Sequence, residues 1–328
     1  MKYTYGPVPS RRLGVSLGVD LVPRKVCSYD CIYCQIGATT LQTTERREYI
    51  PAASILEDVR ATLEDWNREV EYVSISGSGE PTLNVKLGEI IGAIKDMTSV
   101  PVAVVTNGSL LWVEQVRRDL RDADVVLPSL DAATPSVFEV VNRPCSSLSA
   151  ETVLQGLVDF RREYSGQLWL ELLLCRGVND DWAEVEKLIA AVNKIEPDKI
   201  HLNTVVRPAV EDYAYLVPMR RMEQVKKKFG EKAEIITDFA GHNHRIPSRN
   251  VADRVLHLIE RRPVTPEDLS STLGIHDLEL VKILEKLTRE GRVAYRVFNK
   301  RLYYELPQGV KGREGSRSPH STMSVKNP

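Results

Sequence analysis

Between residues 14 and 237, short apolar runs alternate with stretches whose apolar positions recur every three or four residues. The runs are GVSLGVDLV (14–22), EYVSIS (71–76), VPVAVVT (100–106), DVVLPSL (124–130), QLWLELLLC (167–175), KIHLNTVV (199–206) and AEIIT (233–237). Each has the length of a strand, and most are too uniformly apolar to leave one face in water. That is the pattern of a parallel sheet covered by helices. Helical spacing predicts helices over 54–68, 84–97, 110–121, 149–164, 181–195 and 218–229. The first of these opens with a capping box, Ser54–Ile55–Leu56–Glu57. Strands separated by helices, without a dinucleotide-binding fingerprint, predict an α/β fold of the open, partial (β/α)6 barrel kind. In such a fold the functional residues gather at the carboxyl ends of the strands.

The pattern changes near residue 250. VADRVLHLIERRP, TPEDLSSTLG and DLELVKILEKLTREG read as three helices, and RVAYRVFNKRLYYEL as a hairpin turning at Asn299 and Lys300. Three helices and a hairpin predict a small winged-helix domain. The expected organisation is a barrel over 1–249, a winged helix over 250–306 and a disordered tail over 307–328, where no apolar period survives.

Composition narrows the partners. The 328 residues hold 44 Lys and Arg against 45 Asp and Glu, so the chain as a whole does not require a polyanion. Locally, Lys282, Lys286 and Arg289 share one helix, and Arg292, Arg296, Lys300 and Arg301 sit on the hairpin. These residues form a basic face that RNA could use. The opening MKYTYGPVPS lacks the apolar core of a signal peptide, and no apolar run approaches the length of a membrane span. With only five cysteines, an odd count, a disulfide framework is not expected, and a cytoplasmic protein with no membrane partner is.

Three of those cysteines, Cys27, Cys31 and Cys34, fall within CSYDCIYCQ. A structural zinc site takes four ligands, usually as two similar pairs, and no second pair follows. Three thiolates on one loop suit instead an iron–sulfur cluster whose fourth iron has no protein ligand. Cys175 ends an apolar strand and reads as a buried structural thiol, and Cys145 reads as a bystander.

The C-x3-C-x2-C spacing, with Tyr33 just before the last thiol, resembles the radical S-adenosylmethionine (radical SAM) superfamily. The resemblance implies a [4Fe–4S] cluster on Cys27, Cys31 and Cys34, with SAM chelating the open iron. It further implies cleavage of SAM to methionine and a 5′-deoxyadenosyl radical, and a reducing partner such as flavodoxin or ferredoxin. Tyr33 is implied to lie against the cofactors. SGSGEPTL (76–83) resembles the family's glycine-rich segment and implies that Gly77, Ser78, Gly79 and Glu80 meet the SAM amino group. Ser78 departs from the usual adjacent glycines. Thr106, Asn107, Ser129 and Asp131, at the next two strand ends, are implied to contact SAM or substrate. GPVPSRRLGVSLGVDLVP and HLNTVVRP resemble, more narrowly, the group related to the wyosine-synthesis enzyme, which modifies tRNA. The chain has no cysteine before Cys27 with which to hold that enzyme's second cluster.

The resulting expectation is a radical SAM enzyme that abstracts hydrogen from a substrate, with RNA or a peptide as candidate classes. Arg11, Arg12 and Arg207 are candidate contacts for an anionic group, and His242 and His244 read as part of a surface linker. The competing reading is an iron–sulfur sensor that signals through its winged helix without SAM. Glu80 and the glycines around it favour the enzyme, since a sensor needs no SAM site.

Overall fold

The computed structural model describes residues 3–66, 70–236 and 251–307. His242, His244, the boundary expected at 250 and nearly all of the tail expected to be disordered lie outside them. The chain opens with strands β1 (Thr4–Ser10), β2 (Gly14–Val19), β3 (Val26–Cys27) and β4 (Leu41–Gln42), then helix α1 (Ala52–Trp66). It continues through β5 (Tyr72–Ile75), α2 (Leu87–Met97), β6 (Val102–Thr106), α3 (Glu114–Asp119), β7 (Val125–Pro128), α4 (Pro135–Val141) and α5 (Ala150–Glu163). The last units of the large sheet are β8 (Gln167–Leu174), α6 (Trp182–Ile195), β9 (Lys199–Thr204), α7 (Met219–Phe229) and β10 (Ala233–Ile235).

All seven apolar runs supply parallel strands of one eight-stranded sheet, in the order β1-β2-β5-β6-β7-β8-β9-β10. The short β10 ends the series by pairing with β9. The eighth strand, β1, is antiparallel to β2, with Thr4 opposite Val19 and Ser10 opposite Gly14. Successive residues of a strand point to opposite faces, and the chain uses this. Val102, Val104, Val126, Leu168, Leu170, Leu172 and Leu174 join the main core. Ala103, Val125, Leu127 and Trp169 form a separate cluster with Leu13. On the same side as that cluster lie the buried polar residues Ser16, Ser74, Glu171, His201 and Asn203.

Two local expectations need correction. Helix α1 begins at Ala52, so Ser54 lies within its first turn and cannot cap it. The Ala52 N–H donates instead to Glu48 Oε1 at 2.8 Å, a cap supplied from the preceding loop. The helix expected over 110–121 starts only at Glu114, and α4 appears where none was expected.

The C-terminal unit contains α8 (Val251–Arg261), α9 (Pro266–Leu273), α10 (Asp277–Arg289) and the hairpin β11 (Ala294–Phe298) and β12 (Arg301–Glu305). It has a core of its own, built from Val255, Ile259, Leu269, Leu280, Leu284 and Leu287. Asn299 and Lys300 have φ of 48° and 62°, the positive values that a two-residue hairpin turn of matching twist requires. The unit rests on the sheet's carboxyl end. Tyr303 donates from its hydroxyl to Val206 O at 2.8 Å, and Phe298 packs on a cluster containing Ile32, Cys175, Val205 and Ala209. Among the described residues no helix is long and apolar enough to cross a membrane.

Candidate iron–sulfur and cofactor site

The loop after β2 carries the three cysteines, each half-buried and none in a disulfide. It is clamped by the segment that ends α4. Asp30 N–H donates to Asn142 O at 3.1 Å, Ile32 N–H to Val141 O at 3.0 Å, and Cys145 N–H to Ser28 O at 2.9 Å. Buried Tyr29 packs edge-on against Phe138, with ring centres 5.5 Å apart.

Each thiol sulfur accepts a side-chain N–H. Lys25 Nζ lies 3.1 Å from Cys34 Sγ, Asn107 Nδ2 3.6 Å from Cys27 Sγ, and Asn142 Nδ2 3.5 Å from Cys31 Sγ. Lys25 is buried and sits at φ 60°, the left-handed region that non-glycine residues seldom occupy. Its backbone is fixed there by hydrogen bonds from Lys25 N–H to Ser78 O (2.6 Å) and from Thr40 N–H to Lys25 O (3.0 Å). Burial would lower the Lys25 ammonium pKa, but Cys34, Cys27 and Cys31 outweigh it and hold the group above its ordinary value. Burial, then the charge of Glu80, pushes the Cys27 thiol up to about 12, and burial next to Asp131 raises Cys31 well above its usual range.

Among the described residues no three His, Cys, Asp or Glu side chains converge on a single metal ion. The thiolates of an iron–sulfur cubane bind three different irons and so stand farther apart than the ligands of one ion. The donor set therefore fits a cluster. Soft thiolate ligands carry N–H donors at their sulfurs, and the positive charge that would ionise all three buried thiols is that of iron.

The glycine-rich segment closes over the loop. Gly77 has φ 126°, and a Cβ there would lie 1.9 Å from Asp20 Oδ1. At Gly79 a Cβ would meet the Val26 carbonyl oxygen at 2.1 Å. Bulk at 79 would thus push on the strand that carries Cys27, and would disturb the cluster loop as well as the approach of a ligand. Ser78 N–H donates to Asp20 Oδ1 at 2.7 Å, and Arg261 donates to the Ser78 hydroxyl at 3.2 Å.

Glu80 is fully buried and acts as a hub. It accepts from Thr82 N–H (3.0 Å), the Thr82 hydroxyl (2.6 Å), the Thr106 hydroxyl (2.6 Å) and Asn107 N–H (2.7 Å). Burial raises its pKa, and these donors oppose the rise. The carboxylate ties the end of β5 to the end of β6 and orients Asn107 towards Cys27. Asp131 does the same one strand further on. It accepts from the Tyr33 hydroxyl, from Asn142 Nδ2 at 2.8 Å and from Leu173 N–H at 2.9 Å, and burial lifts its pKa to about 6. Ser129 is half-buried beside it, its N–H donating to Thr106 O at 3.2 Å.

All the expected site residues therefore meet at the carboxyl edge of the sheet. Glu80 is spent on Thr82, Thr106 and Asn107, and Asp131 on Tyr33, Asn142 and Leu173, so these residues act as a frame. Lys25, Asn142 and Asp20 were not singled out by the sequence. Lys25 lies two residues before the first cysteine, where its adjacency could have flagged it. Cys175 is buried in an apolar cluster, and Cys145 packs at the edge of the main core with its pKa raised by burial.

Comparison with known proteins agrees with this geometry. Residues 21–189 match the radical SAM superfamily. A UPF0026 protein of Methanocaldococcus jannaschii is 31% identical over 320 residues, covering 96% of this chain and 98% of that protein. A protein of Brachyspira hyodysenteriae named GTPase Obg is 34% identical over 308 residues, covering 93% of this chain. The chain spans only 45% of that protein's length. Streptococcus suis SuiB superposes on 67% of this chain and 49% of its own with a TM-score of 0.50 at 14% identity, a likeness of fold alone. The chain belongs to the radical SAM superfamily, and its cofactors are those of the family, a [4Fe–4S] cluster and S-adenosylmethionine.

Proposed function

We propose that the protein is an enzyme that cleaves SAM reductively and uses the resulting 5′-deoxyadenosyl radical to abstract hydrogen from a substrate. When bound, the cluster supplies the electron that breaks a carbon–sulfur bond of SAM. The chain's own residues hold and orient. Cys27, Cys31 and Cys34 would be the iron ligands, and Lys25, Asn107 and Asn142 would offset the charge on their sulfurs. The backbone at Gly77–Gly79 would admit the SAM amino group, while Glu80, Thr106 and Asp131 keep the strand ends in register. The observation that carries this reading is the convergence of three thiols, each with its own N–H donor, beside a backbone stretch in which Gly77 and Gly79 have no room for a Cβ.

The eight-stranded sheet is read as a partial barrel and the C-terminal unit as a winged helix. A flavodoxin or ferredoxin is the proposed electron donor. Of the substrate classes considered, RNA gains little support from the winged helix. Arg296 pairs with Glu305 at 3.2 Å, and Arg292 and Lys286 reach Glu290 at 3.7 and 3.9 Å, so much of the basic face is answered within the unit. The hairpin also faces the sheet, where Phe298 and Tyr303 are engaged.

The test is anaerobic reconstitution with iron and sulfide, followed by reduction in the presence of SAM. The expected result is about four irons per chain and slow release of 5′-deoxyadenosine and methionine. An intact cluster that yields no 5′-deoxyadenosine under strong reduction would favour the sensor.

A further inference from the structure

Beside the cofactor site, a cavity of about 230 Å³ opens between β1, the loop after it and helix α8. Arg11, Arg12 and Arg207 line it from the sheet, and Leu258, Arg261 and Arg262 of α8 close it from the other side. Gly77 and Ser78 line it as well, so it opens onto the backbone proposed to admit SAM. Pockets that enclose a drug-sized ligand run to roughly 300–1,000 Å³. SAM is of that size and must share the site with a substrate. With α8 in place the enclosure is too small for both.

The junction that closes the cavity is polar. Two of the five arginines of the lining are answered across the boundary between the units, in opposite directions. Arg261 of α8 pairs with Asp20 in the loop after β2, and Arg207 in the loop after β9 stands 3.7 Å from Asp268 of α9. Arg24 donates to Glu260 O, and the Tyr303 hydroxyl to Val206 O at 2.8 Å. Phe298 adds an apolar contact to the cluster containing Ile32 and Cys175. Behind these contacts each unit keeps a core of its own. A polar junction between two separate cores permits rigid-body motion of one unit against the other.

Arg261 couples that junction to the cofactor segment. Asp20 accepts Ser78 N–H on Oδ1 at 2.7 Å and Arg261 on Oδ2, and Arg261 also donates to the Ser78 hydroxyl at 3.2 Å. Its guanidinium lies over the Tyr5 ring, 4.9 Å from the centre. One side chain of the C-terminal unit thus braces Ser78 directly and through Asp20, between the two glycines. If the unit moves away, Asp20 loses this counter-ion and the Ser78 hydroxyl loses this donor.

We propose that the C-terminal unit is a lid that swings off the sheet to admit SAM and substrate, and that its closure through Arg261 completes the SAM-binding segment. Arg261 is then a positioning residue, acting on SAM through Ser78 and Asp20. The proposal rests on the radical SAM reading for the identity of the guest, whereas the motion follows from the junction alone.

The test uses the reconstituted full chain with its cluster oxidised, so that the three ligand thiols are occupied, in a Cys145→Ala and Cys175→Ala background. Nitroxide labels on Val140→Cys and Leu278→Cys, both exposed positions, report the separation of the units by double electron–electron resonance. Without SAM, Phe298→Ala should raise the population of a more separated conformer at least about tenfold, and Tyr303→Phe about fivefold. Added SAM should return both variants to the closed distance. SAM should also associate faster with both variants than with the unaltered chain, by about the same factors, when mixing is followed through cluster absorbance. Mere damage to the fold would not accelerate binding. Arg261→Gln should share the faster association and release SAM at least about fivefold faster, since the segment is no longer braced. Should Phe298→Ala fold poorly, Tyr303→Phe carries the test. One unchanged distance in every variant, association no faster than in the unaltered chain, or unchanged SAM release from Arg261→Gln overturns the proposal. The SAM-free distances involve no cofactor cleavage, so a rigid junction and a failure to release 5′-deoxyadenosine are separate outcomes.

Discussion

The cluster loop and the arginine cavity lie on either side of Gly77–Gly79 and solve opposite electrostatic problems. On one side three thiols gather beside two buried carboxylates, Glu80 and Asp131, and N–H donors from Lys25, Asn107 and Asn142 reach every sulfur. On the other, five guanidinium groups concentrate positive charge around an open volume. The first region leaves its sulfurs for a cation to claim, whereas the second already answers three of its guanidinium groups with Glu171, Asp20 and Asp268.

The largest expected effect removes the first region's guest altogether. Replacing Cys27, Cys31 and Cys34 with Ala should take the iron content from about four per chain to near zero after reconstitution. Cys145→Ala and Cys175→Ala should leave it unchanged by the same assay. Retention of full iron by the triple variant would put the cluster elsewhere.

A graded change sharpens the contrast without abolishing either side. Lys25→Met removes the one charged donor to the sulfurs, which favours the more negative, reduced cluster. The midpoint potential should fall on the order of 60 mV, the one-electron equivalent of a tenfold change in equilibrium. Redox titration followed by electron paramagnetic resonance reads it, and an unchanged potential would remove Lys25 from the tuning role.

The smallest effect belongs to the cationic side. His201 is buried behind Arg12 and Glu171, and burial lowers its pKa below 6.5 despite Glu171 and Glu234. The unfolded chain therefore binds a proton near pH 6.5 that the folded chain takes up only at lower pH. Stability should decline as pH falls through that region and level off below the folded pKa. Urea unfolding across pH 5 to 8 should show a shallower slope for His201→Gln, and identical slopes would show that His201 does not titrate with folding.

How much of this was legible depended on how far apart in the chain the interacting groups lie. The parallel strands were readable because burial on two sides produces unbroken apolar runs. Strand β1 was not, since TYGPVPS alternates poorly, contains two prolines and pairs through a register shift between Tyr5 and Val8. The thiol triad was readable because its ligands are contiguous. The frame around it was only partly so. Glu80 stood out by its motif, but its bonds to Thr106 and Asn107, and those of Asn142 to Asp131 and Cys31, exist only once β5, β6 and β7 are side by side. Arg11, Arg12 and Arg207 could be singled out as anion contacts, yet nothing in the sequence joins them to Arg261 and Arg262. That enclosure is a product of how the C-terminal unit sits on the sheet.

The clamp on the cysteine loop also sets a timetable for the protein's biosynthesis. Cys31 leaves the ribosome 111 residues ahead of Asn142, and Cys27 leaves 80 ahead of Asn107. Until the later segments emerge, two of the three thiols lack the side-chain N–H donors that meet their sulfurs in the folded chain. A defined iron site can therefore exist only once the polypeptide has been made through at least residue 145 of its 328.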